Sequence, residues 1–508
     1  METLTVLLLS LVVALLVLVV FILAVAKTNK NNNGLPPGPS KLPLIGSIHH
    51  LATAGELPHH ALTRLAGEHG PVMHLQTGQT DLVVVSSREA AMEVMKLHDA
   101  TFAHRPELTG PKTLLYGCAD VAFASGPHWR RLRKLCVVEL LSASRVRSFA
   151  HVRREETRAL LCNIAAAGKP PGTAAIVGIR AVLEELSSAI VSRTVLGKTF
   201  EHRGALLKEG VELTSVFCLS DHFPSLSFLD VPMRLRLRRV HRQVDRLLED
   251  IIAERKKLRQ EMLLFTAENM LDVLLDAMEQ QTTDSREVPI TQDNIKAVIM
   301  DMFVGGTETS STTIEWALAE LIKNPKEMAK VQEELRTKMQ GDDDYAIAQQ
   351  LSYLKLVVKE TLRLHMPAPL LVPRVCKEQC SVGGYTIPAG SRVVINAWAM
   401  GRDPGYWEDA ETFRPARFID RDDLDYKGTN SFEFLPFGAG RRVCPGIEFG
   451  LATIELCLAQ LLFHFDWKLP GGMAPEDLDM TETSVGVTIV RKEPLHLIPS
   501  VYARSSLV

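Results

Sequence analysis

No Cys-x-x-Cys pair occurs among the 508 residues, although eight cysteines are present. In a chain far too large to need disulfide staples, that scatter reads as a set of ordinary thiols in a reducing compartment. Cys376 and Cys380 stand four apart, but no neighbouring His or Cys pair completes a zinc site. Charge of one sign is also lacking. Lys and Arg (57) nearly balance Asp and Glu (60), for a net −3, and no basic excess points to a nucleic-acid partner. Aromatics are only 6%, which favours a helix-rich chain over an all-β one. There is no internal repeat or low-complexity tract. No Gly-rich dinucleotide or flavin fingerprint occurs either, so any electrons the chain uses must come from a partner.

What is present is apolar bulk, at 46% of residues. From Thr3 to Ala26 no charged residue interrupts a run rich in Leu and Val. Roughly 20 such residues cross a bilayer as a helix. Ala24-Val25-Ala26 resembles a signal-peptidase site, but no Lys or Arg precedes the run, which is also too long for a signal core. A single-pass anchor is therefore expected. Lys27 and Lys30 follow it directly and place the body in the cytosol. Residues 1–27 read as the anchor and 28–39 as a polar linker ending in Leu35-Pro36-Pro37-Gly38-Pro39, stiffened by its prolines. Residues 40–508 read as one large domain.

Hydrophobic periodicity predicts a mainly α fold with small β-sheets. Strands are expected near Val72–Leu75, Leu82–Val85, Ser381–Ile387 and Arg392–Asn396. Helices are expected over Arg88–Leu97, Trp129–Leu141, Arg145–Leu161, Ala181–Val195, Pro325–Gln340, Leu351–Leu364 and Ile447–Phe463. Met233–Arg259 is basic and amphipathic, and reads as a helix with a solvated face. Thr291–Lys323 is long, mostly apolar and free of Pro, so a buried central helix is expected there.

The chemistry concentrates in Phe437-Gly438-Ala439-Gly440-Arg441-Arg442-Val443-Cys444-Pro445-Gly446. Its glycines permit tight turns and close approach of a flat ligand. Backbone N–H groups at the start of the following helix, with Arg442, would favour a thiolate. Read alone, a Cys is usually a small buried hydrophobe. The pattern F-x-x-G-x-R-x-C-x-G, met by Phe437, Gly440, Arg442, Cys444 and Gly446, resembles the haem-binding loop of the cytochrome P450 family. The resemblance extends over nearly the whole chain. It implies the family's fold, with haem b between a long central helix and the cysteine loop. It also implies Cys444 as the axial iron ligand, Phe437 packing by haem and sulfur, and Arg442 pairing with a propionate.

Other segments share the resemblance. Glu360-Thr361-Leu362-Arg363 puts an acid and a base on one helix face, otherwise an ordinary surface ion pair. Phe413-Arg414-Pro415-Ala416-Arg417-Phe418 resembles the family's P-E-R-F segment, implying a buried Glu360–Arg363–Arg417 cluster, although Ala416 stands where Glu is frequent. Trp129 and Arg133, on an amphipathic basic helix start, and Arg374 match propionate-binding positions. Gly305-Gly306-Thr307-Glu308-Thr309-Ser310 resembles the oxygen-activation segment. Adjacent glycines cost a helix roughly 1 kcal/mol each, and make sense if the helix opens there. Glu308 and Thr309 would then relay protons to bound dioxygen.

Pro36-Pro37-Gly38-Pro39, Phe102-Ala103-His104-Arg105-Pro106 and Asn396-Ala397-Trp398 are similar to plant microsomal members serving specialised metabolism. These imply a place in the endoplasmic reticulum membrane, electrons from NADPH through cytochrome P450 reductase, and cytochrome b5 as a second partner. The substrate expected is a small hydrophobic metabolite, foremost a terpenoid, with phenylpropanoid, indole- or amino-acid-derived compounds as alternatives. Phe217, Phe303, Val304, Leu370, Leu371 and Val485 are its expected lining. A reductase-independent haem-thiolate isomerase or dehydratase, and a non-enzymatic haem binder, are the other readings. Glu308 with Thr309 argues against both.

Overall fold

The computed structural model describes Leu15 and residues 34–503, apart from 52–54, 168–175, 200–203, 262–266, 281–287, 340–350 and 422. The expected membrane anchor lies outside the described residues. Among those described, the helix Ile447–His464 is long and apolar enough to span a bilayer, but most of it is buried in the core.

The chain enters through α1 (Pro58–His69), with Pro58 in its first turn, where the missing N–H costs nothing. An antiparallel pair follows, β1 (Val72–Thr77) and β2 (Thr80–Val85), in which Val72 pairs with Val85. The helical body comprises α2 (Gly126–Leu135), α3 (Ala150–Ala167), α4 (Ile179–Leu196), α5 (Val231–Glu261), α6 (Gln292–Gly306), α7 (Glu308–Lys323) and α8 (Ser352–Leu364). Two short strands, β3 (Arg374–Val375) and β4 (Arg392–Ile395), complete a four-stranded sheet of order β1-β2-β4-β3. Within it β2 and β4 are parallel and the other pairs antiparallel. α9 (Ile447–His464) follows the cysteine loop, and the hairpin of β5 (Glu482–Val485) and β6 (Thr488–Arg491) lies near the end of the chain.

The basic stretch forms α5 as expected. Leu237, Val240, Val244, Leu247, Leu248, Ile251 and Ile252 form its buried stripe, leaving most of its Arg and Lys to solvent. Burial is most complete on α7, where every residue from Ser310 to Ile322 is inside. The expected central helix is therefore present, but it is not continuous. α6 starts with a capping box between Thr291 and Asn294 and ends at Gly306; Thr307, at φ −92° and ψ −74°, separates it from α7. The cause is local. Thr307 and Thr309 donate their hydroxyls to the carbonyls of Phe303 (2.8 Å) and Gly305 (2.6 Å), competing with the helical ladder. The two glycines also differ: a Cβ on Gly306 would lie 2.8 Å from Val191 Cγ2 of α4, whereas Gly305 faces open space.

Three other expected helices are subdivided. Arg145–Leu161 falls into a short helix, Ala143–Ser148, and α3, with Phe149 between them. Arg88–Leu97 is a short α-turn followed by a π-segment from Glu93 to Leu97, and the helix starting at Gly126 passes into a π-segment over Cys136–Leu140. The Ser381–Ile387 strand is a hairpin, with Val382 paired to Tyr385 around Gly383-Gly384 at φ +58° and +81°.

Candidate active site

Cys444 sits where the loop after Phe437 turns into α9. Gly438 and Gly440 take φ of +69° and +71°, left-handed values that a side chain resists. Gly440 is further constrained, since a Cβ there would lie 2.1 Å from the carbonyl oxygen of Met95. The Cys444 N–H donates to the Phe437 carbonyl (3.0 Å), and the Gly446 N–H donates to Cys444 Sγ (3.3 Å). Burial pushes the Cys444 thiol up; the Gly446 N–H and the charge of Arg133 oppose that shift without cancelling it. The cation beside the sulfur is thus Arg133 and not Arg442 as expected. The loop alone favours the thiol over the thiolate, so ionisation there calls for a further positive charge at the sulfur.

A cavity of about 360 Å³ opens above this sulfur. Cys444, Phe437, Arg442, Trp129, Arg133 and Arg374 line it, as do Glu308 and Thr309 from the junction of α6 and α7. The structure therefore brings together the cofactor and proton-relay residues singled out in the sequence. Val304, Leu371 and Val485 also line the cavity. Phe217, Phe303 and Leu370 do not. Phe217 is 64% exposed and stacks on His222, Phe303 is buried in the main core, and Leu370 packs on a separate cluster around Leu62 and Leu65. Apolar character predicted burial or contact at these three, but not which side of the element faces the cavity.

Arg105 of the Phe102–Pro106 segment joins the cationic group at the cavity and had no assigned role from sequence. Four guanidiniums therefore share one partly enclosed region. They donate mainly to neutral carbonyls: Arg442 to Ala103, Val121 and Ala124, Arg105 to Ala122, Val372 and Pro373, and Arg133 to Val443. Arg374 has a carboxylate, Asp99, at 3.2 Å. Burial, followed by the charges of Arg374 and Arg442, pushes Arg105 well below its usual range. Burial and Arg374 likewise bring Arg442 down to about 10. Such crowding is unfavourable unless an anion shares the space. Trp129 points to the same ligand: Arg442 lies 4.0 Å above its ring, while its buried Nε1 has no hydrogen-bond partner among the described residues. A flat dicarboxylate with a metal centre, as haem is, meets these demands. The two carboxylates would neutralise the arginines and accept the indole N–H, and the iron would supply the charge Cys444 lacks.

A second unforeseen residue is Asp301 of α6. Its Oδ2 accepts from the N–H groups of Val121 (2.7 Å) and Ala122 (3.3 Å), fixing the loop whose carbonyls hold Arg442 and Arg105. Burial and the charge of Asp120 push its carboxyl well up. No motif announces it, because its partners lie about 180 positions away.

Glu360, Arg363 and Arg417 meet as expected and are almost wholly buried. Arg363 forks onto Glu360 at 2.7 and 2.8 Å, while Arg417 Nε (2.8 Å) and the Arg414 N–H (2.7 Å) also reach it. Arg363 and Arg417 spend their remaining donors on carbonyls between Gly401 and Thr412. Ala416 leaves this arrangement complete.

The cytochrome P450 family profile matches residues 36–498. The chain is 48% identical to desmethyl-deoxy-podophyllotoxin synthase of Sinopodophyllum hexandrum, over 94% of each protein. It is 47% identical to premnaspirodiene oxygenase of Hyoscyamus muticus, over 94% of this chain and 95% of that one. Among solved structures, a zebra fish cytochrome P450 with abiraterone superposes with a TM-score of 0.73 at 26% identity, covering 88% of this chain and 99% of that one. The chain belongs to the cytochrome P450 family. It is a monooxygenase of the plant type, with haem as cofactor and electrons drawn from NADPH through a reductase.

Proposed function

We propose that the protein hydroxylates a terpenoid of plant specialised metabolism, with Cys444 as iron ligand and Glu308 and Thr309 as proton donors. One observation carries this reading: sulfur, cationic cluster, acid–alcohol pair and an apolar wall border a single cavity. When bound, haem supplies activation of dioxygen, with one oxygen atom going to substrate and the other to water. The chain's own residues do the rest. Arg105, Arg133, Arg374, Arg442 and the Trp129 N–H hold the propionates. Burial raises the Glu308 carboxyl, despite a hydrogen bond with Thr488, so it keeps its proton to a higher pH than a free glutamate. Thr309, with its hydroxyl on the Gly305 carbonyl, borders the same cavity and would pass a proton inward.

The cavity wall favours a hydrocarbon over an oxygen-rich substrate. Val191, Val195, Val211, Val304, Leu371 and Val485 offer no hydrogen bonds, and an oxygenated ligand would leave its polar groups unpaired there. One relative is a premnaspirodiene oxygenase and another a desmethyl-deoxy-podophyllotoxin synthase, so a phenylpropanoid-derived substrate is the second reading. For localisation, we read residues 1–27 as a single-pass anchor in the endoplasmic reticulum, 28–39 as a linker, and 40–508 as a cytosolic domain docking a reductase and cytochrome b5. Leu44, Phe228 and Leu229, which are 67%, 65% and 54% exposed, support contact with lipid beside that anchor. Their segments adjoin, since Gln79 hydrogen-bonds Ser225 and Gly78 donates to the Ile45 carbonyl.

Reductase-loaded microsomes given terpenoid and phenylpropanoid panels test the substrate assignment. Reductase-dependent NADPH consumption with a terpenoid carrying one added oxygen is the expected result. Turnover confined to phenylpropanoids would overturn it, as would product formed without reductase.

A further inference from the structure

Outside the cavity, three elements distant in the chain converge on one carboxylate. His59 and His60, in the first turn of α1, each place Nε2 at 3.0 Å from Glu482 Oε2, at the start of β5. His365, just after α8, directs Nδ1 toward Glu482 Oε1 at 3.7 Å, too long for a hydrogen bond. That nitrogen is buried and has no hydrogen-bond partner among the described residues. The candidate ligand atoms of His59, His60 and Glu482 all lie within 4.8 Å of one another. His59, His365 and Glu482 have side chains no more than 7% exposed, whereas His60 is 36% exposed and gives the cluster a route to solvent.

Hydrogen bonding among the described residues leaves this arrangement incomplete, because a third imidazole nitrogen faces the carboxylate at 3.7 Å without a bond. A tetrahedral ion with bonds of about 2.0–2.1 Å has ligand-to-ligand edges of about 3.3 Å, so the observed 3.0 Å separations need open by only a few tenths of an ångström. The ring orientation also fits. His365 Nε2 lies 2.7 Å from Glu320 Oε1 and its ring stacks on Trp316 at 3.9 Å. Metal-bound imidazoles characteristically give their other N–H to a carboxylate in this way. Binding asks only that His59 and His60 carry their proton on Nδ1, freeing Nε2 as donor to the metal. Two or three imidazoles and one carboxylate, in a half-enclosed site, suit zinc over magnesium or calcium.

We propose that His59, His60 and Glu482 form a binding site for a divalent zinc-class ion, with His365, oriented by Glu320 and 3.7 Å from the other carboxylate oxygen, drawn in as a further ligand. The site clasps α1 and the end of α8 to the β5–β6 hairpin. That hairpin lends Val485, Gly486, Val487 and Thr488 to the cavity wall, so metal at Glu482 stiffens one side of the substrate pocket without entering the haem chemistry.

The test uses the haem-loaded full chain, freed of metal with a chelator and equilibrated with zinc chloride. One zinc per chain should be retained, and its X-ray absorption spectrum should show nitrogen and oxygen ligands with imidazole scattering. His60→Ala should weaken zinc binding by about tenfold or more and leave the Soret band of the reduced carbon-monoxide complex unchanged. Glu482→Gln should behave in the same way. No retained zinc, sulfur in the first coordination shell, or zinc affinity in both variants unchanged from that of the unsubstituted chain would overturn the site.

Discussion

Replacing Glu360 by Gln should cost this enzyme much of its stability. The carboxylate is fully buried and takes four hydrogen bonds, two from Arg363 and one each from the Arg417 side chain and the Arg414 backbone. Glutamine keeps the shape but removes the charge that two guanidiniums share, and it turns one accepting oxygen into a donor facing Arg363. Breaking a buried pair by removing one partner costs about 3–5 kcal/mol, against a total stability of about 5–15 kcal/mol. The internal control is Arg414→Ala. The Arg414 side chain is 39% exposed and pairs with Glu408, itself 81% exposed, so its loss should cost no more than about 1 kcal/mol, with the backbone N–H still serving Glu360. The assay follows the thiolate-type Soret band of the reduced carbon-monoxide complex against urea concentration. If Glu360→Gln accumulates too poorly to measure, Arg417→Met removes one of the two cations and should still lower the midpoint more than Arg414→Ala does. A Glu360→Gln midpoint no lower than that of Arg414→Ala would refute the reasoning.

Cys444→Ala should abolish the thiolate-type Soret position, while Cys457→Ala, which removes a buried thiol of α9, should preserve it; optical spectra of the two reduced carbon-monoxide complexes decide. Burial raises Glu455 from 4.5 to about 7. The native state then binds this proton more tightly than the unfolded chain, so stability falls as pH rises from the ordinary glutamate value through about 7. Glu455→Gln should therefore stabilise the protein by up to ~3 kcal/mol well above pH 7 and by nothing in acid, as read from urea midpoints across pH. Val304→Phe should fill cavity space and raise KM at least about tenfold for a bulky substrate, whereas Phe217→Ala, at an exposed side chain that does not line the cavity, should leave KM within about twofold in the same turnover assay.

The legible parts of the site were those whose spacing is local. Phe437 to Gly446 is one continuous segment, and Glu360 and Arg363 share a helix face by periodicity alone. The break in the central helix was half legible. Two glycines announced an opening, but Thr307 and Thr309 had to spend their hydroxyls on the preceding turn before the ladder parted. Arg105 and Asp301 stayed hidden because their importance comes from what they meet: a loop some 180 positions away for one and three other guanidiniums for the other. Phe217 failed for a different reason. An apolar side chain in a loop carries no period to say which way it points, and this one faces outward.

The four guanidiniums around the cysteine loop bear on how the protein is made. A chain that folds before receiving its prosthetic group must hold Arg105, Arg133, Arg374 and Arg442 together against their mutual repulsion, and the incoming dianion relieves it. Ligand that binds only the native state raises stability with its free concentration, by about 2.7 kcal/mol at a hundredfold excess over Kd. Yield in a foreign host should consequently track the supply of porphyrin precursor, with haem-starved cells degrading a polypeptide whose sequence carries no defect.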